Sequence, residues 1–371
     1  MTKRADRPAT LTDVARAAGT STAVVSYVMN NGPRPVAPAT RERVLAAAAE
    51  LDYRPNRVAR ALRSRTTGVV GLILADAANP YFAALARHIE QTLDRRDKLT
   101  LTGNAGYSSD RQEHLVDRFL AAQVDGLVIV SADGGADVAE RARRAGVRAV
   151  YVHNQPDAGR APAVAADNDS AVHRAVAHLR GHGHTRIAFL AGPDDVGPVG
   201  RRRAAWETAL ADTATPRPEA ASPQAASPQA ASPQAASPQA ASPQAASPEA
   251  ALTTSPLLRS AYTRAAAATL TRRLIGERTM PPALITATDE QAIGVLAGAR
   301  AAGLPVPERL AVVSLDGTPD SAYTAPALTV TEQPLRAMAQ QAVDLLLDDA
   351  SPRPPAQAAL VVRHSCGCTP A

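Results

Sequence analysis

The sequence predicts a small all-α head with a helix-turn-helix, joined to an α/β core of two lobes in which parallel sheets are flanked by helices. Three observations carry this. Residues 1–65 hold twelve Lys/Arg against five Asp/Glu, a formal +7, while the other 306 residues hold 28 basic and 30 acidic groups, a formal −2. Apolar residues of the basic head recur at helical spacing, broken by a glycine. Beyond Gly68, short apolar runs alternate with amphipathic stretches through two similar series. A basic head on a nearly neutral body predicts a polyanion-binding module fused to something else.

A chain of 371 residues with 45% hydrophobic content has enough apolar surface for more than one core, which excludes disorder throughout. Aromatic residues are scarce at 3%, and Lys3 and Lys98 are the only lysines among 40 basic residues, a pattern of codon bias and not of function. Apolar runs such as Val69–Ala75 fall far short of the roughly 18 to 20 residues that span a bilayer, and the N-terminus lacks the apolar core of a signal peptide. A cytoplasmic, nucleoid-associated protein with no membrane partner is expected. Two cysteines, Cys366 and Cys368, cannot supply a disulfide framework.

In the head, Thr10 is placed to cap a helix and Asp13 to complete a capping box, with Leu11, Val14 and Ala18 on one apolar face. Gly19 ends that helix. Ser21 caps a second one, which turns Val24, Val25 and Val28 inward and leaves Thr22, Ala23, Ser26, Tyr27 and Asn30 outside. Two short helices about a tight turn form a helix-turn-helix, whose second helix can set its N-terminal residues against base edges in the major groove. A third helix follows Pro38, from about Ala39 to Leu51, on Val44, Leu45, Ala48 and Leu51.

Across Thr10–Leu62, the segments Asp-Val-Ala, Ala-Gly-Thr-Ser, Val-Ser-Tyr-Val-Met-Asn, Thr-Arg-Glu-Arg-Val and Tyr-Arg-Pro-Asn-Arg-Val-Ala-Arg-Ala-Leu occur in one order. In these the chain resembles the headpiece of the lactose-repressor (LacI/GalR) family of bacterial transcription regulators. The resemblance implies that Thr22, Ala23 and Tyr27 read bases, and that Thr10, Ser21, Ser26, Asn30, Thr40, Tyr53 and Asn56 touch phosphate or sugar. The family often has arginine where Tyr27 stands, and tyrosine cannot make arginine's bidentate contact to guanine O6 and N7. The short basic segment Asn56–Arg65 would, by the same resemblance, be a hinge helix ordering on operator DNA, with Ala59 permitting close approach and Leu62 wedging between base steps in the minor groove. A plain basic linker is the alternative.

The body follows element by element. Strands are expected at Val69–Leu74, Thr100–Thr102, Gly126–Val130 and Ala149–Val152, with helices at Phe82–Leu93, Arg111–Ala122 and Ala136–Ala145 between them. A second series places helices at Ser170–Arg180, Gly200–Ala211, Leu258–Leu274 and Asp289–Ala302, and strands at Ile187–Leu190, Ala283–Thr286 and Ala311–Leu315. Such alternation implies parallel sheets covered on both faces, and two halves with strand carboxyl ends facing one another imply an interlobe cleft. This agrees with the periplasmic-binding-protein-like core of the resembled family. The expected domains are the headpiece at 1–55, the hinge at 56–66, the N-terminal lobe at 67–163 and 332–356, and the C-terminal lobe at 164–331 and 357–371. Residues 213–255 form a disordered low-complexity insert within that second lobe.

By resemblance, Asp76, Asn79, Tyr81, Phe82, Arg202, Thr288, Asp289 and Asp316 line the effector cleft. Carboxylates, an arginine fork and aromatic faces suit a polyhydroxylated ligand. The alternative for Tyr81 and Phe82 is a place in the core, and for Arg201 or Arg203 a solvated face. The family usually has asparagine at Thr288 and a second acid at Gly317, so a different effector or a damaged pocket remains open.

Residues 221–250 are six copies of a pentapeptide, five Ala-Ser-Pro-Gln-Ala and one Ala-Ser-Pro-Glu-Ala. Proline at every fifth position forbids helix, and so little apolar surface does not offset the ordering entropy. Replication slippage in a tolerated surface loop accounts for it better than a partner tether. No metal or other cofactor is expected: His178, His182 and His184 have metal-like spacing, but the Gly-His-Thr-Arg-Ile run at 183–187 matches a structural turn of the resembled family, and Cys366-Gly-Cys368 offers two ligands, too few for a closed site. No nucleophile elbow or phosphate-binding loop is present, so the chain is not read as an enzyme. The reading is an effector-controlled transcriptional regulator, a repressor, that binds near-palindromic operator DNA as a homodimer and takes a sugar or derivative as effector. The alternative is a two-lobed sugar-binding protein without regulatory DNA binding.

Overall fold

The computed structural model describes residues 7–30, 34–55, 61, 66–130, 137–154, 161–195, 197–212, 255–348 and 350–369. The hinge positions Asn56, Ala59 and Leu62, and the insert at 213–255 apart from Ser255, lie outside the described residues. The chain divides into two compact units, residues 1–68 and 69–371.

The first unit contains α1 (Leu11–Ala17), α2 (Thr22–Met29) and α3 (Pro38–Glu50). Thr10 and Asp13 form the expected capping box, and Ser21 caps α2 through its hydroxyl. Val14, Val25, Val28 and Val44 are buried together with Ala47 and Ala48. Each buried valine is worth about 1.5–3 kcal/mol relative to exposure. Two expected core positions are corrected: Leu45 is 45% exposed and Leu51 37% exposed. The inward stripe of α3 runs instead through Val44, Ala47 and Ala48, whose small alanines let the three helices approach closely.

The second unit opens with β1 (Val69–Leu74), α4 (Pro80–Asp94), β2 (Leu99–Asn104), α5 (Ser109–Ala121), β3 (Gly126–Val130), α6 (Asp137–Arg144), β4 (Arg148–Val152) and β5 (Ala163–Val164). Among the described residues these strands form a parallel sheet in the order β2-β1-β3-β4-β5. The fully buried runs of β1 and β3 belong to strands covered on both faces.

The second lobe continues with α7 (Asn168–Gly181), β6 (Ile187–Ala191), α8 (Pro198–Ala211), β7 (Leu257–Arg259), α9 (Arg264–Gly276), β8 (Ala283–Thr286), α10 (Asp289–Ala301) and β9 (Ala311–Ser314). The chain closes with β10 (Thr329–Glu332) and β11 (Ala359–Val361) in this lobe and, between them, α11 (Leu335–Leu347) on the first. The sheet of the second lobe runs β11-β10-β9-β8-β6-β7, with the β10–β11 pair antiparallel and the others parallel. The expected single helix over Leu258–Leu274 is corrected: its first residues form β7 on the edge beside β6, and Thr263 then caps α9. Three residues paired along an edge leave too short a period to separate strand from helix in sequence. The strands β5, β10 and β11 and the helix α11 were not anticipated.

Both sheets are wound alike, with the first strand of each lobe between the second and third. This reversal of winding opens a crevice at the carboxyl ends of the strands, where ligands of such sheets bind. The chain passes between lobes after β5, after β10 and after α11; α11 buries Met338, Ala342 and Val343 against the first sheet although it follows a strand of the second. No described helix is long and apolar enough to cross a membrane.

Candidate functional site

On the head, Ser21, Thr22 and Ala23 are exposed at the amino end of α2, Ser26 and Tyr27 are half-buried, and Asn30 is exposed. Asn30 Nδ2 donates to the Ser26 carbonyl at 2.8 Å and to Ser26 Oγ at 3.3 Å, which holds the two side chains on one face of α2. Thr10 is committed locally, its N–H donating to Asp13 Oδ2 at 3.0 Å and its hydroxyl to the same oxygen at 2.6 Å. Thr40 accepts from Arg43 Nη2 at 3.4 Å, and Tyr53 packs on the head core. The guanidinium of Arg34 lies 5.9 Å from the centroid of the Tyr27 ring. A cation thus accompanies the aromatic face at the position where arginine was expected.

In the second unit, the expected cleft residues are carried by the segments after β1, β8 and β9 and by α8. Asn79 caps α4 by accepting the Tyr81 N–H at 2.9 Å, which fixes the rings of Tyr81 and Phe82 edge to face at 5.3 Å. Asp76 accepts from the Ala78 N–H at 3.0 Å, stabilising the turn before the helix. The Tyr81 hydroxyl donates to Gln333 Oε1 at 2.7 Å and lies 2.9 Å from His153 Nδ1. A phenol has one proton, so with that proton on Gln333 the imidazole donates from Nδ1 and leaves Nε2 an acceptor. Burial, with the nearby charge of Arg202, holds His153 down at about 3, so the ring is neutral. Burial also pushes the Tyr81 phenol well above its usual range.

Arg202 is the inward member of its arginine triplet, because Pro198, Val199, Arg202, Ala205, Trp206 and Ala209 form the buried face of α8. Its flanking Arg203 pairs with Asp195 and Glu207. Arg202 Nε donates to Asn168 Oδ1 at 2.8 Å, and Nη1 donates to the Ala287 carbonyl and to Asp316 Oδ1 at 3.4 Å. Its buried Nη2 has no hydrogen-bond partner among the described residues. Burial raises Asp316 to about 7 against the opposing pull of Arg202. Asp316 also accepts the Asp289 N–H at 3.1 Å and the Gln333 amide at 3.4 Å.

Asp289 and Thr288 serve the frame of the site. Asp289 accepts from Ser314 Oγ, from the Thr318 N–H at 2.6 Å and from Thr318 Oγ1 at 2.7 Å, which braces the loop after β9. Thr288 caps α10 by accepting the Gln291 N–H at 3.3 Å. Gly317 has φ +73°, and a Cβ there would stand 2.4 Å from Glu332 Cα, so this loop geometry excludes any side chain at that position.

Sequence reasoning missed His153, Asn168, Gln333, Tyr107 and Tyr262. Tyr107 from the first lobe and Tyr262 from the second stack at 6.5 Å with 24° between their planes. Four of these five follow β2, β4, β7 or β10, so the rule that ligands sit at strand carboxyl ends could have found them. A cavity of about 310 Å³ between the lobes is lined by His153, Asn154, Asn168, Gly197, Arg201 and Gln341, among others. Its amide and imidazole donors and acceptors and its two arginines, Arg201 and Arg353, can bind an uncharged polyhydroxylated molecule, and none of the eight expected cleft residues lines it.

Comparison with known proteins agrees with this division. Residues 10–56 match the family model described as bacterial regulatory proteins, lacI family. Residues 67–237 match periplasmic binding proteins and sugar binding domain of LacI family, and 176–366 match a periplasmic binding protein-like domain. The chain is 30% identical to catabolite control protein A of Priestia megaterium over 91% of each chain. It is 32% identical to the HTH-type transcriptional regulator MalR of Streptomyces coelicolor over 97% of each. Among solved structures it is similar to the lac repressor dimer bound to operator and the anti-inducer ONPF, with TM-score 0.75 and 25% identity, covering 97% of this chain and 99% of that one. A transcriptional regulator CelR–cellobiose complex aligns with TM-score 0.63 and 25% identity over 96% of this chain and 99% of that one.

Proposed function

The chain belongs to the LacI family of bacterial regulatory proteins, and from that premise we propose that it is a transcriptional repressor whose affinity for operator DNA is set by a carbohydrate effector in the interlobe cleft. The observation that carries the effector half of this reading is the unpartnered Nη2 of Arg202, a buried donor beside the Asp316 carboxylate. A guanidinium nitrogen desolvated without a partner is costly, and a ligand hydroxyl would satisfy it. Asp316, His153 Nε2 and the Tyr81, Phe82, Tyr107 and Tyr262 rings supply the complementary acceptors and apolar faces.

The protein acts as a homodimer on a near-palindromic operator, in keeping with its similarity to a lac repressor dimer bound to operator. Thr22, Ala23 and Tyr27 read bases; Thr10, Ser21, Ser26, Asn30, Thr40, Tyr53 and Asn56 contact the backbone; Ala59 and Leu62 enter the minor groove from a hinge at 56–66. Asp76, Asn79, Tyr81, Phe82, Arg202 and Asp316 form the effector site, with Thr288 and Asp289 framing it. Effector binding shifts the population between lobe arrangements only to the extent that its affinity differs between them.

The test is binding of the full chain to DNA upstream of its own gene, at two salt concentrations, with and without a panel of sugars. Sequence-specific binding with a clear salt slope that one sugar changes at least about tenfold supports the reading. Binding that ignores both salt and the Thr22→Ala and Tyr27→Ala substitutions overturns it.

A further inference from the structure

We propose that His178, His182, Cys366 and Cys368 form a structural zinc site that fastens the C-terminal segment to the end of α7. The four ligand atoms lie within 4.8 Å of one another. His178 Nε2 is 3.2 Å from Cys366 Sγ and 3.8 Å from Cys368 Sγ, and His182 Nε2 is 3.0 Å from Cys368 Sγ. A tetrahedral ion with bonds of about 2.3 Å to sulfur and about 2.0 Å to nitrogen holds its ligands about 3.3–3.8 Å apart. The cluster is therefore at the required spacing to within small side-chain adjustments.

Local structure explains why two distant pairs converge. His178 is in the last turn of α7 and His182 is its C-cap, so four residues of helical spacing place both rings on one side, with centroids 4.9 Å apart. Cys366 and Cys368 flank Gly367, whose φ of +98° turns the chain back so that both sulfurs face the helix. The nearest atom to a Cβ built on Gly367 is His182 Nδ1 at 3.8 Å. Cys366 is buried in the core beside Trp206 and Phe189, and Thr329 Oγ1 donates to its sulfur at 3.0 Å. That outer hydrogen bond favours a thiolate and fixes its direction, as partners around metal ligands do.

Two thiolates and two imidazoles in a tetrahedral set select zinc over magnesium or calcium, which require oxygen ligands. All four positions are taken by protein, so the site is closed and structural, with no coordination place for a reacting water. On binding, each thiol loses its proton to solvent, both imidazoles remain neutral, and no electron is transferred.

The experiment uses the full chain purified under reducing conditions from zinc-supplemented cells. Elemental analysis should find about one zinc per chain, and exchange with Co2+ should give the intense visible bands of a tetrahedral site with a near-ultraviolet thiolate charge-transfer band. His182→Gln and Cys368→Ser, both at accessible positions, should each lower retained metal at least about tenfold while leaving the far-ultraviolet circular dichroism unchanged. Chelation should lower the thermal midpoint of the parent and leave these variants unmoved. Substoichiometric zinc with no thiolate band in the cobalt spectrum overturns the proposal and leaves an imidazole–thiol hydrogen-bonded cluster. Equal metal content in parent and variants overturns it as well.

Discussion

The Tyr81 hydroxyl donates to Gln333 Oε1 at 2.7 Å, which ties the first helix of one lobe to the strand-to-helix crossover leaving the other. Because the Gln333 amide donates in turn to the Leu315 carbonyl at 3.0 Å and to Asp316, a continuous path runs from His153 through Tyr81 and Gln333 to the acid that holds Arg202. Tyr81, Gln333, Asp316 and Arg202 are buried and His153 is half-buried, so the path runs from the wall of the cleft into its interior.

Tyr81→Phe deletes the central donor and strands His153 Nδ1–H and Gln333 Oε1. The expected loss is about 1–3 kcal/mol of stability in denaturant unfolding, the penalty for an unsatisfied buried polar group. A variant within about 0.3 kcal/mol of the parent would show that the path carries no stability.

The pH dependence divides between two groups of opposite sign. Asp316 is raised from 3.8 to about 7 by burial, so between these values the folded state holds more protons than the unfolded one, and its contribution is complete below 3.8 and declines as pH rises to 7. His153 is depressed from 6.5 to about 3 by burial, so its contribution is complete above 6.5 and is lost as pH falls toward 3. Urea unfolding from pH 4 to 8 should therefore show the advantage of the parent over Asp316→Asn shrinking as pH rises to 7, and its advantage over His153→Gln growing up to 6.5. Parallel pH curves for parent and both variants would contradict the buried geometry.

Arg202→Met keeps an unbranched stem and removes every donor. Sugar-dependent thermal stabilisation should vanish, and operator binding should lose its response to sugar. Arg202→Lys, which cannot span Asn168, Ala287 and Asp316 at once, should lose at least about tenfold in sugar affinity by calorimetry. Full affinity in both variants would place the effector elsewhere.

The stacked pair Tyr107 and Tyr262 joins the two lobes through exposed and half-buried rings. Tyr262→Ala should weaken sugar binding by about 0.5–1.5 kcal/mol, the worth of an aromatic pair beyond its area. Operator affinity without sugar should be unaltered, since the substitution lies outside the head. A change in sugar-free operator affinity with sugar binding intact would refute this assignment.

On the head, Arg34→Ala removes the cation over Tyr27. If Arg34 meets phosphate, the slope of log affinity against log salt should fall by about 0.9. If it meets a base, the loss of about 1–3 kcal/mol should be confined to one operator position. Competition shifts with a set of single-base operator variants separate the two, and no loss in either measure removes Arg34 from the interface.

Local sequence determined a good deal. The capping box of Thr10 and Asp13, the buried stripe of Val14, Val25, Val28 and Val44, and the wholly apolar β1 and β3 are set by spacing and residue type within a few turns of chain, and the structure keeps them. Family resemblance added Asp76, Asn79, Tyr81, Phe82, Arg202 and Asp316 as cleft candidates, of which Tyr81 is linked through Gln333 to Asp316 and Asp316 to Arg202. What spacing could not decide was which polar atoms remain free after folding. Asp289 and Thr288 spend their oxygens on Thr318, Ser314 and a helix cap, whereas Arg202 keeps one buried nitrogen unpartnered. Gln333 enters the site because the chain crosses between the lobes there, His153 because β4 ends beside the Tyr81 hydroxyl, and His178 meets Cys366 across 188 positions of sequence. Helices and strands follow from short-range sterics and periodicity, but a site is a balance of hydrogen bonds among groups from separate segments, and only the packed tertiary structure fixes that balance.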